Sequence, residues 1–314
     1  MTDLKIPKIS NAEFLVNFEM ALQWMQSLGI DISKGRLAEY KNAARSWVAL
    51  LNREQEQLAD SDMHANVTSM AFEVPAFVDI YAAFKEEKPA NLSGLIAKLR
   101  KAVAGPSQLA SETSTSTGPR NFLFEAVTAA KVHNPSMNVT AILNAPSDTG
   151  FKMLGKNFWI ECKRLSAEGQ VLPNISKACK QLQRTLEMHP QTGQRGIIAL
   201  DISKLVTPPP PKYILEVAVE SEIGPYTNHI VDNYIRDHAY VWQQKFLNQD
   251  SRIIGALLRL SCIATTKDRR AYIYVQQWGI NPRNNATLDD QRLMKEMVNK
   301  LNPQRELRLA KSLY

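Results

Sequence analysis

The sequence has few cysteines and lacks the long apolar run of a membrane span. No apolar run reaches the roughly 18 residues that a spanning helix requires, and the N-terminal MTDLKIPKIS has no signal-peptide-like apolar run. We therefore expect a soluble, cytoplasmic protein without a membrane partner. Its three cysteines, Cys162, Cys179 and Cys262, are far apart and lack zinc-ligand spacing, which indicates reduced core residues.

Several common enzyme motifs are also missing. The chain has no GxxxxGK[ST] phosphate loop, no GxGxxG after a strand and no GxSxG elbow. These absences argue against an intrinsic nucleotide motor and against an ordinary serine hydrolase. A helicase or ATPase activity could still be supplied by a partner protein.

The composition is that of a folded protein, and its positive charge is unevenly distributed. Of 314 residues, 44% are hydrophobic and 22% are charged, which is ordinary for a globular chain. Residues 1–106 contain 12 Lys and Arg against 13 Asp and Glu, whereas residues 107–314 contain 26 against 18. A basic surface in the second part favours a polyanionic partner such as nucleic acid, although many basic proteins bind none.

Residues 1–106 are predicted to form an α-helical N-terminal domain. Apolar residues recur at helical spacing over 14–28 and 37–51, and further helices are predicted over 75–86 and 91–103. No catalytic spacing occurs in this part. Substrate positioning, binding of a protein partner and homo-oligomerisation are all open roles for it.

A change of composition marks the predicted domain boundary. Residues 107–120, SQLASETSTSTGPR, are rich in Ser and Thr and have few apolar side chains. Such a segment buries too little surface to offset its ordering entropy, so we expect a mobile linker or loop. Residues 121–314 then form the second predicted domain.

This second domain alternates helices and strands. The patterns predict, in order, a helix over 121–132, strands over 138–143, 145–154 and 157–165, a helix over 174–189 and a strand over 197–203. Further along, a helix is predicted over 226–246, strands over 253–266 and 269–280, and a helix over 287–301 capped by Thr287. The fold class is therefore α/β, with a mixed central sheet flanked by helices.

The third predicted strand, NFWIECKRL, contains an unusual pair of charges. Strand alternation places Phe158, Ile160 and Cys162 on one face, and Trp159, Glu161 and Lys163 on the other. An acid and a lysine on a core strand are costly to desolvate unless they are paired or used.

An acid and a lysine two residues apart are, by themselves, weak evidence for a catalytic site. The same spacing occurs at Asp3/Lys5, Glu39/Lys41 and Glu86/Lys88, and an exposed ion pair would explain it. Glu161/Lys163 differs from these because it lies in an apolar strand, with Asp148 thirteen residues upstream and Glu125 on the preceding helix.

Together these residues resemble the restriction-endonuclease-like, or PD-(D/E)XK, nuclease superfamily. The matching residues are Pro146-Ser147-Asp148 and Glu161-Cys162-Lys163, within the predicted order of helix, three strands, helix and strand. The resemblance covers roughly residues 120–203. Ser147 stands where the family usually has a proline before the aspartate.

The resemblance implies a phosphodiesterase that uses Mg²⁺ or Mn²⁺. Asp148 and Glu161 would be ligands of the ion, since hard cations prefer oxygen, and the Cys162 carbonyl would be a further ligand. Lys163 would orient the attacking water or stabilise charge in the transition state. The family also implies a metal-binding acid on the first helix, Glu125, whose alternative is an exposed surface glutamate.

Other polar residues could complete the site. Gln181, on the helix after the motif, corresponds best to a glutamine or lysine that several branches of the superfamily direct at the active site. Candidate contacts to nucleic acid are five basic residues: Lys152, Arg164, Lys177, Lys180 and Arg184. A solvated helix face would explain the charges equally well.

We therefore predict a metal-dependent nuclease, with DNA favoured over RNA as its substrate and the choice between them left open by the sequence. The alternative is a nuclease-fold protein that binds nucleic acid or a protein partner without cutting. An intact set of Asp148, Glu161 and Lys163 favours the enzyme. Phage defence, restriction and repair all remain open as its setting.

Overall fold

The computed structural model describes residues 8–9, 11–51, 61–113, 115–191, 193–207, 214–247, 249–267, 271–301 and 306–310. Its helices are α1 (Asn11–Ser27), α2 (Arg36–Leu51), α3 (Ser61–Phe84), α4 (Ser93–Ala102), α5 (Gly118–Lys131), α6 (Val171–Met188), α7 (Ser203–Val206), α8 (Ile223–Asp237), α9 (Ala239–Leu247) and α10 (Leu288–Lys300). Its strands are β1 (Lys8–Ile9), β2 (Thr140–Ile142), β3 (Thr149–Met153), β4 (Lys156–Arg164), β5 (Gln194–Asp201), β6 (Ile214–Val217), β7 (Ile253–Thr266), β8 (Ala271–Pro282) and β9 (Glu306–Ala310).

The described strands form one mixed sheet. Their order is β1-β9-β8-β7-β5-β4-β3-β2, and β6 pairs with β7. The consecutive strands β2, β3 and β4 are antiparallel, whereas β4 and β5 are parallel and are connected through α6. A helical connection is the usual solution for parallel neighbours. The predicted α/β class with a mixed sheet flanked by helices is confirmed.

Most predicted elements are present, and one prediction is wrong. The order of a helix, three strands, a helix and a strand is confirmed as α5, β2, β3, β4, α6 and β5. Thr287 caps α10, because its side chain accepts a hydrogen bond from the Asp290 amide. The single helix predicted over 226–246 is instead divided into α8 and α9 at His238, whose ring bonds the Tyr234 carbonyl at 2.9 Å. The prediction also missed β1, β6 and β9.

The N-terminal helices share an apolar core with the sheet. Phe18 of α1, Phe77 of α3 and Phe124 of α5 belong to one buried cluster, which continues into β4, β5 and β7. The core therefore extends across the boundary predicted between residues 1–106 and 121–314.

Helix α3 lies in the middle of this packing. It contains Ala65–Phe84, which among the described residues is the segment long and apolar enough to cross a membrane by length and composition. More than half of its most apolar window is buried inside the protein, and α3 packs on α5 and β7. The apolar composition of α3 is thus accounted for by its place in the core.

A buried carboxylate joins three helices. Glu73 of α3 is 4% exposed, and its Oε2 accepts a hydrogen bond from the Tyr40 hydroxyl at 2.9 Å. Arg36 Nη1 lies 3.3 Å from the same oxygen, and Arg120 Nε pairs with Oε1. Although burial opposes it, the two guanidinium groups hold the pKa of Glu73 below its ordinary value. The contacts tie α2 and α5 to α3.

The segment predicted as a mobile linker or loop makes several specific contacts. The Ser107 carbonyl accepts hydrogen bonds from the Tyr40 hydroxyl at 2.5 Å and from Arg120 Nη2 at 3.2 Å. Leu109 is buried, and its amide donates to Ser69 Oγ at 3.1 Å. Polar groups make most of these contacts, so they leave no signal in the apolar composition of the segment. Helix α5 then begins at Gly118, within the predicted segment.

Glu73→Ala should lower the free energy of unfolding by about 3–5 kcal/mol, because Arg36 and Arg120 would stay buried without their shared counter-ion. Urea denaturation measures this change. Glu86→Ala is the matched control, since the Glu86 side chain is 89% exposed and its loss should cost less than about 0.5 kcal/mol. Equal stabilities of the two variants would contradict the role given to Glu73.

Candidate active site

Strand β4 directs alternate side chains to opposite faces of the sheet, as predicted. Phe158, Ile160 and Cys162 pack in the core cluster that includes α5, whereas Trp159 packs in a second cluster that includes α6. Glu161, on the Trp159 face, is only 3% exposed. The alternation predicted for this strand is confirmed, and Glu161 is a buried acid rather than a surface residue.

Asp148 reaches β4 from the turn before β3. Pairing between β3 and β4 begins with Thr149 opposite Ile160. Just outside this pairing, Asp148 Oδ2 accepts a hydrogen bond from the Cys162 amide at 2.8 Å, and Ser147 Oγ donates to the Thr149 carbonyl at 2.6 Å. The Asp148 carboxylate therefore accepts the hydrogen bond of a β4 amide just before β3 begins. This contact fixes Asp148 beside the Glu161–Lys163 segment.

Three oxygen atoms converge on the Lys163 ammonium group. Lys163 Nζ lies 3.1 Å from Glu161 Oε2, 3.1 Å from the Cys162 carbonyl oxygen and 3.5 Å from Asp148 Oδ2. The Lys163 side chain is 12% exposed, so water screens these contacts only weakly. The structure thus brings together the Asp, Glu and Lys side chains that the sequence singled out.

The charges of this cluster perturb one another. Burial and the negative charge of Asp148 raise the pKa of Glu161 to about 7, against the opposing effect of Lys163. Burial alone would lower the pKa of Lys163, but Asp148 and Glu161 raise it above its ordinary value. Lys163 is therefore a firmly protonated cation, and Glu161 is a carboxyl that gains a proton easily.

Glu125 of α5 lies beside the cluster. Its side chain is 11% exposed, and it pairs with Lys98 Nζ of α4. Burial, and next the charge of Asp148, raise the pKa of Glu125, while Lys98 and Lys163 act in the opposite direction. The alternative of an exposed surface glutamate is wrong, because α5 turns this residue inward.

The oxygen atoms of the cluster are of the type that a hard divalent cation prefers, but the Lys163 ammonium group occupies the point on which they converge. Among the residues that the structure describes, no group of three or more His, Cys, Asp and Glu side chains is arranged to hold a metal ion. The convergent donors are two carboxylates and the Cys162 carbonyl, which are the oxygen ligands that Mg²⁺ and Mn²⁺ prefer. Burial raises the pKa of the Cys162 thiol, so its sulfur is not a ligand candidate.

Gln181 is placed apart from these contacts. It is half-buried on α6, and its buried Oε1 accepts no hydrogen bond from the described residues. None of the contacts that join Asp148, Glu161 and Lys163 includes it. Its predicted position at the active site therefore stays a prediction.

The predicted contacts to nucleic acid fall into two groups. Lys152 of β3 and the α6 residues Lys177, Lys180 and Arg184 are exposed. Arg164 is instead 13% exposed in its side chain and already has acidic partners.

The partners of Arg164 are Glu112 and Asp201. Arg164 Nη1 donates to Glu112 Oε1 at 2.8 Å, and its Nε lies 3.7 Å from Asp201 Oδ2. Together with Phe72 and Leu109, Arg164 and Asp201 line a pocket at the carboxyl ends of β4 and β5. Because Glu112 and Asp201 compensate its charge inside the protein, Arg164 is a weaker candidate for a phosphate contact than the exposed lysines.

Three residues near the site were missed by the sequence argument. Asp201 ends the buried strand β5, and an acid at the carboxyl end of a parallel strand is a signal that could have been used. Glu112 is a single acid in a Ser/Thr-rich segment, and Lys98 lies in a helix with several basic residues, so the sequence marks neither.

Comparisons of the chain with protein-family models, with curated proteins and with solved structures find no match.

Glu161→Gln should change how stability depends on pH in the presence of EDTA. The pKa of about 7 in the folded protein exceeds the ordinary 4.5, so the folded state binds more protons and loses stability as pH rises through this interval. The glutamine variant lacks this loss. Between pH 5 and pH 8 its free energy of unfolding should gain on the order of 1–3 kcal/mol relative to the parent.

Urea denaturation at both pH values measures the difference. Glu296→Gln, at an exposed position of α10, is the matched control and should follow the parent at both pH values. If the free energy of unfolding of Glu161→Gln changes between the two pH values as much as that of the parent, Glu161 does not carry the raised pKa.

Proposed function

We propose that this protein is a metal-dependent nuclease that hydrolyses phosphodiester bonds of DNA, with a catalytic core similar to the PD-(D/E)XK superfamily. The observation that carries the proposal is the convergence of Asp148, Glu161 and the Cys162 carbonyl on one cationic atom, Lys163 Nζ. The order of α5, β2, β3, β4, α6 and β5 supports it, because the same order accompanies this motif in the superfamily.

Asp148, Glu161 and the Cys162 carbonyl would hold Mg²⁺ or Mn²⁺, with Glu125 as a further carboxylate. Such an ion supplies positive charge to the phosphate and activates a bound water. Lys163 has to leave the three oxygens for the ion to be held. Its ammonium is then free to contact a phosphate oxygen and to stabilise the negative charge that develops there.

The exposed face of α6 supports nucleic acid as the substrate. Lys177, Lys180 and Arg184 are all exposed along this helix, which packs on β4, the strand that carries Glu161 and Lys163. Cations spaced along one helix can follow the phosphates of a polyanion. We expect the protein to act on DNA in the cytoplasm.

A nuclease-fold protein that binds nucleic acid or a partner without cutting is the second candidate function. One observation favours it: Lys163 itself occupies the point on which the oxygens converge. In that case the cluster is a buried ion-pair network that stabilises β4 and the Asp148 turn, and no metal displaces the lysine.

Cleavage of plasmid, linear and single-stranded DNA, with RNA alongside, separates the two candidates. The parent should cut DNA in Mg²⁺ or Mn²⁺ and not in EDTA. Glu161→Ala and Lys163→Ala should each reduce cutting by about 100-fold or more, because each removes charge that acts on the reacting phosphate.

The chain provides a matched control for these variants. Glu86 and Lys88 have the same spacing but are exposed, so Glu86→Ala and Lys88→Ala should cut like the parent. If the parent binds DNA and cuts under no condition, the second candidate function is correct. If the variants at Glu161 and Lys163 still cut, the active site is elsewhere.

The combined change of Lys177, Lys180 and Arg184 to alanine should weaken DNA binding in EDTA. The slope of log K against log salt is negative, and each lost phosphate contact reduces its magnitude by about 0.9. The magnitude of the slope should therefore decrease by about 1–3. Fluorescence anisotropy at several salt concentrations measures both the affinity and the slope.

A second triple variant controls for the loss of net charge. Lys34, Lys85 and Lys88 are exposed in the N-terminal part, and their combined change to alanine should leave the salt slope of DNA binding unchanged. An equal loss of slope in both variants would show that α6 has no special contact with DNA.

A further inference from the structure

Lys98 reaches the candidate active site from outside the segment that resembles the nuclease family. It lies on α4, within the N-terminal helices, and its Nζ pairs with Glu125 Oε2 on α5. The side chains of Lys98 and Glu125 are only 18% and 11% exposed. Among the described residues, Lys98 is the one hydrogen-bond donor to the Glu125 carboxylate.

Helix α4 also contacts the turn that carries Asp148. Ser93 Oγ lies 3.1 Å from Asn144 Nδ2 and 3.2 Å from Asn144 Oδ1. A Cβ atom at Gly94 would lie 2.1 Å from the Leu143 carbonyl oxygen, so only glycine permits this close approach. The same helix therefore braces two of the acidic residues of the site, one directly and one through its turn.

The charges explain why Glu125 needs Lys98. The Glu125 carboxylate is buried next to the negative charge of Asp148, which disfavours an inward orientation. A hydrogen-bonded ammonium group compensates both effects, whereas a buried carboxylate without such a partner would turn toward water.

We propose that Lys98 is a positioning residue of the active site, which holds the Glu125 carboxylate toward Asp148 and Lys163. Helix α4 is then part of the catalytic centre and not only of an accessory helical domain. This inference rests on the proposed nuclease function and deepens it.

Lys98→Ala should lower kcat for DNA cleavage about 10–100-fold and leave KM within about twofold, as expected for a residue that orients a metal-binding group. Lys98→Arg should restore most of the activity, because it keeps a cation within reach of Glu125. The matched control is Lys101→Ala, one turn along on α4, where the ammonium group is exposed and lies 4.5 Å from the Phe122 ring. It should leave both constants unchanged.

A double-mutant cycle tests whether Lys98 acts through Glu125. In the Glu125→Gln background, Lys98→Ala should cause no further loss of kcat, because there is no carboxylate left to position. Additive losses together with a raised KM would overturn the proposal, since they would mean that Lys98 contacts the substrate directly. A Lys98→Ala variant that equals Lys101→Ala would also overturn it.

Mn²⁺ binding, measured by calorimetry without DNA, separates a failure of the Lys98 proposal from a failure of the proposed nuclease function. Lys98→Ala should weaken Mn²⁺ binding about tenfold, with no further loss in the Glu125→Gln background. A parent that neither binds Mn²⁺ nor cuts DNA overturns both proposals. If the parent binds Mn²⁺ without cutting, the nuclease function fails, and the Mn²⁺ affinities alone decide whether Lys98 positions Glu125.

Discussion

The buried carboxylate of Glu73 is the contact on which the arrangement of the helices depends. It accepts the Tyr40 hydroxyl and pairs with Arg36 and Arg120, so α2 and α5 are both fixed to α3 by one charged group. Because α5 also carries Glu125, this network sets the position of a residue in the candidate site. The Ser107 carbonyl, bonded to Tyr40 and Arg120, joins the connecting segment to the same point.

The candidate site contains more acidic groups than basic ones, and lysines pair with the acidic groups. Glu125, Asp148 and Glu161 are three carboxyl groups, while Lys98 and Lys163 supply two cations. The imbalance is visible in the raised pKa of Glu161 and of Glu125, each of which follows from burial beside Asp148. An additional cation would relieve this repulsion, and a divalent ion in place of the Lys163 ammonium would do so at the point where the oxygens already meet.

Sequence patterns predicted the second half of this fold well, because its strands and helices have distinct periodicities. Strand β4 illustrates the success, since alternation alone placed Glu161 and Lys163 on one face and Cys162 on the other. The patterns failed where tertiary contacts decide the structure. The continuous helical pattern over 226–246 is divided at His238, and the Glu112 side chain is buried through ion pairs with Arg164 and Lys204 and not by any local preference.

In the candidate site, too, some residues are recognisable from the sequence pattern, whereas others are identified only by tertiary contacts. Asp148, Glu161 and Lys163 could be predicted because their spacing matches a known motif in an apolar strand. Lys98 could not, because it lies far away along the chain and differs in no local feature from Lys101. Only the packing of α4 on α5 brings it to Glu125. A resemblance inferred from residues 120–203 contains no information about a residue outside that segment, such as Lys98.

The site is shared between strand β4, inside the sheet, and the β2–β3 hairpin at the sheet edge. Glu161 and Lys163 belong to β4, which is paired on one side with β5 along its whole inner length. Asp148 instead enters from the β2–β3 hairpin, the edge of the sheet, where β2 is only three residues long. One side of the site therefore depends on a strand with hydrogen-bonded neighbours on both edges, whereas the other side depends on a hairpin at the sheet edge, which α4 contacts through Ser93 and Asn144.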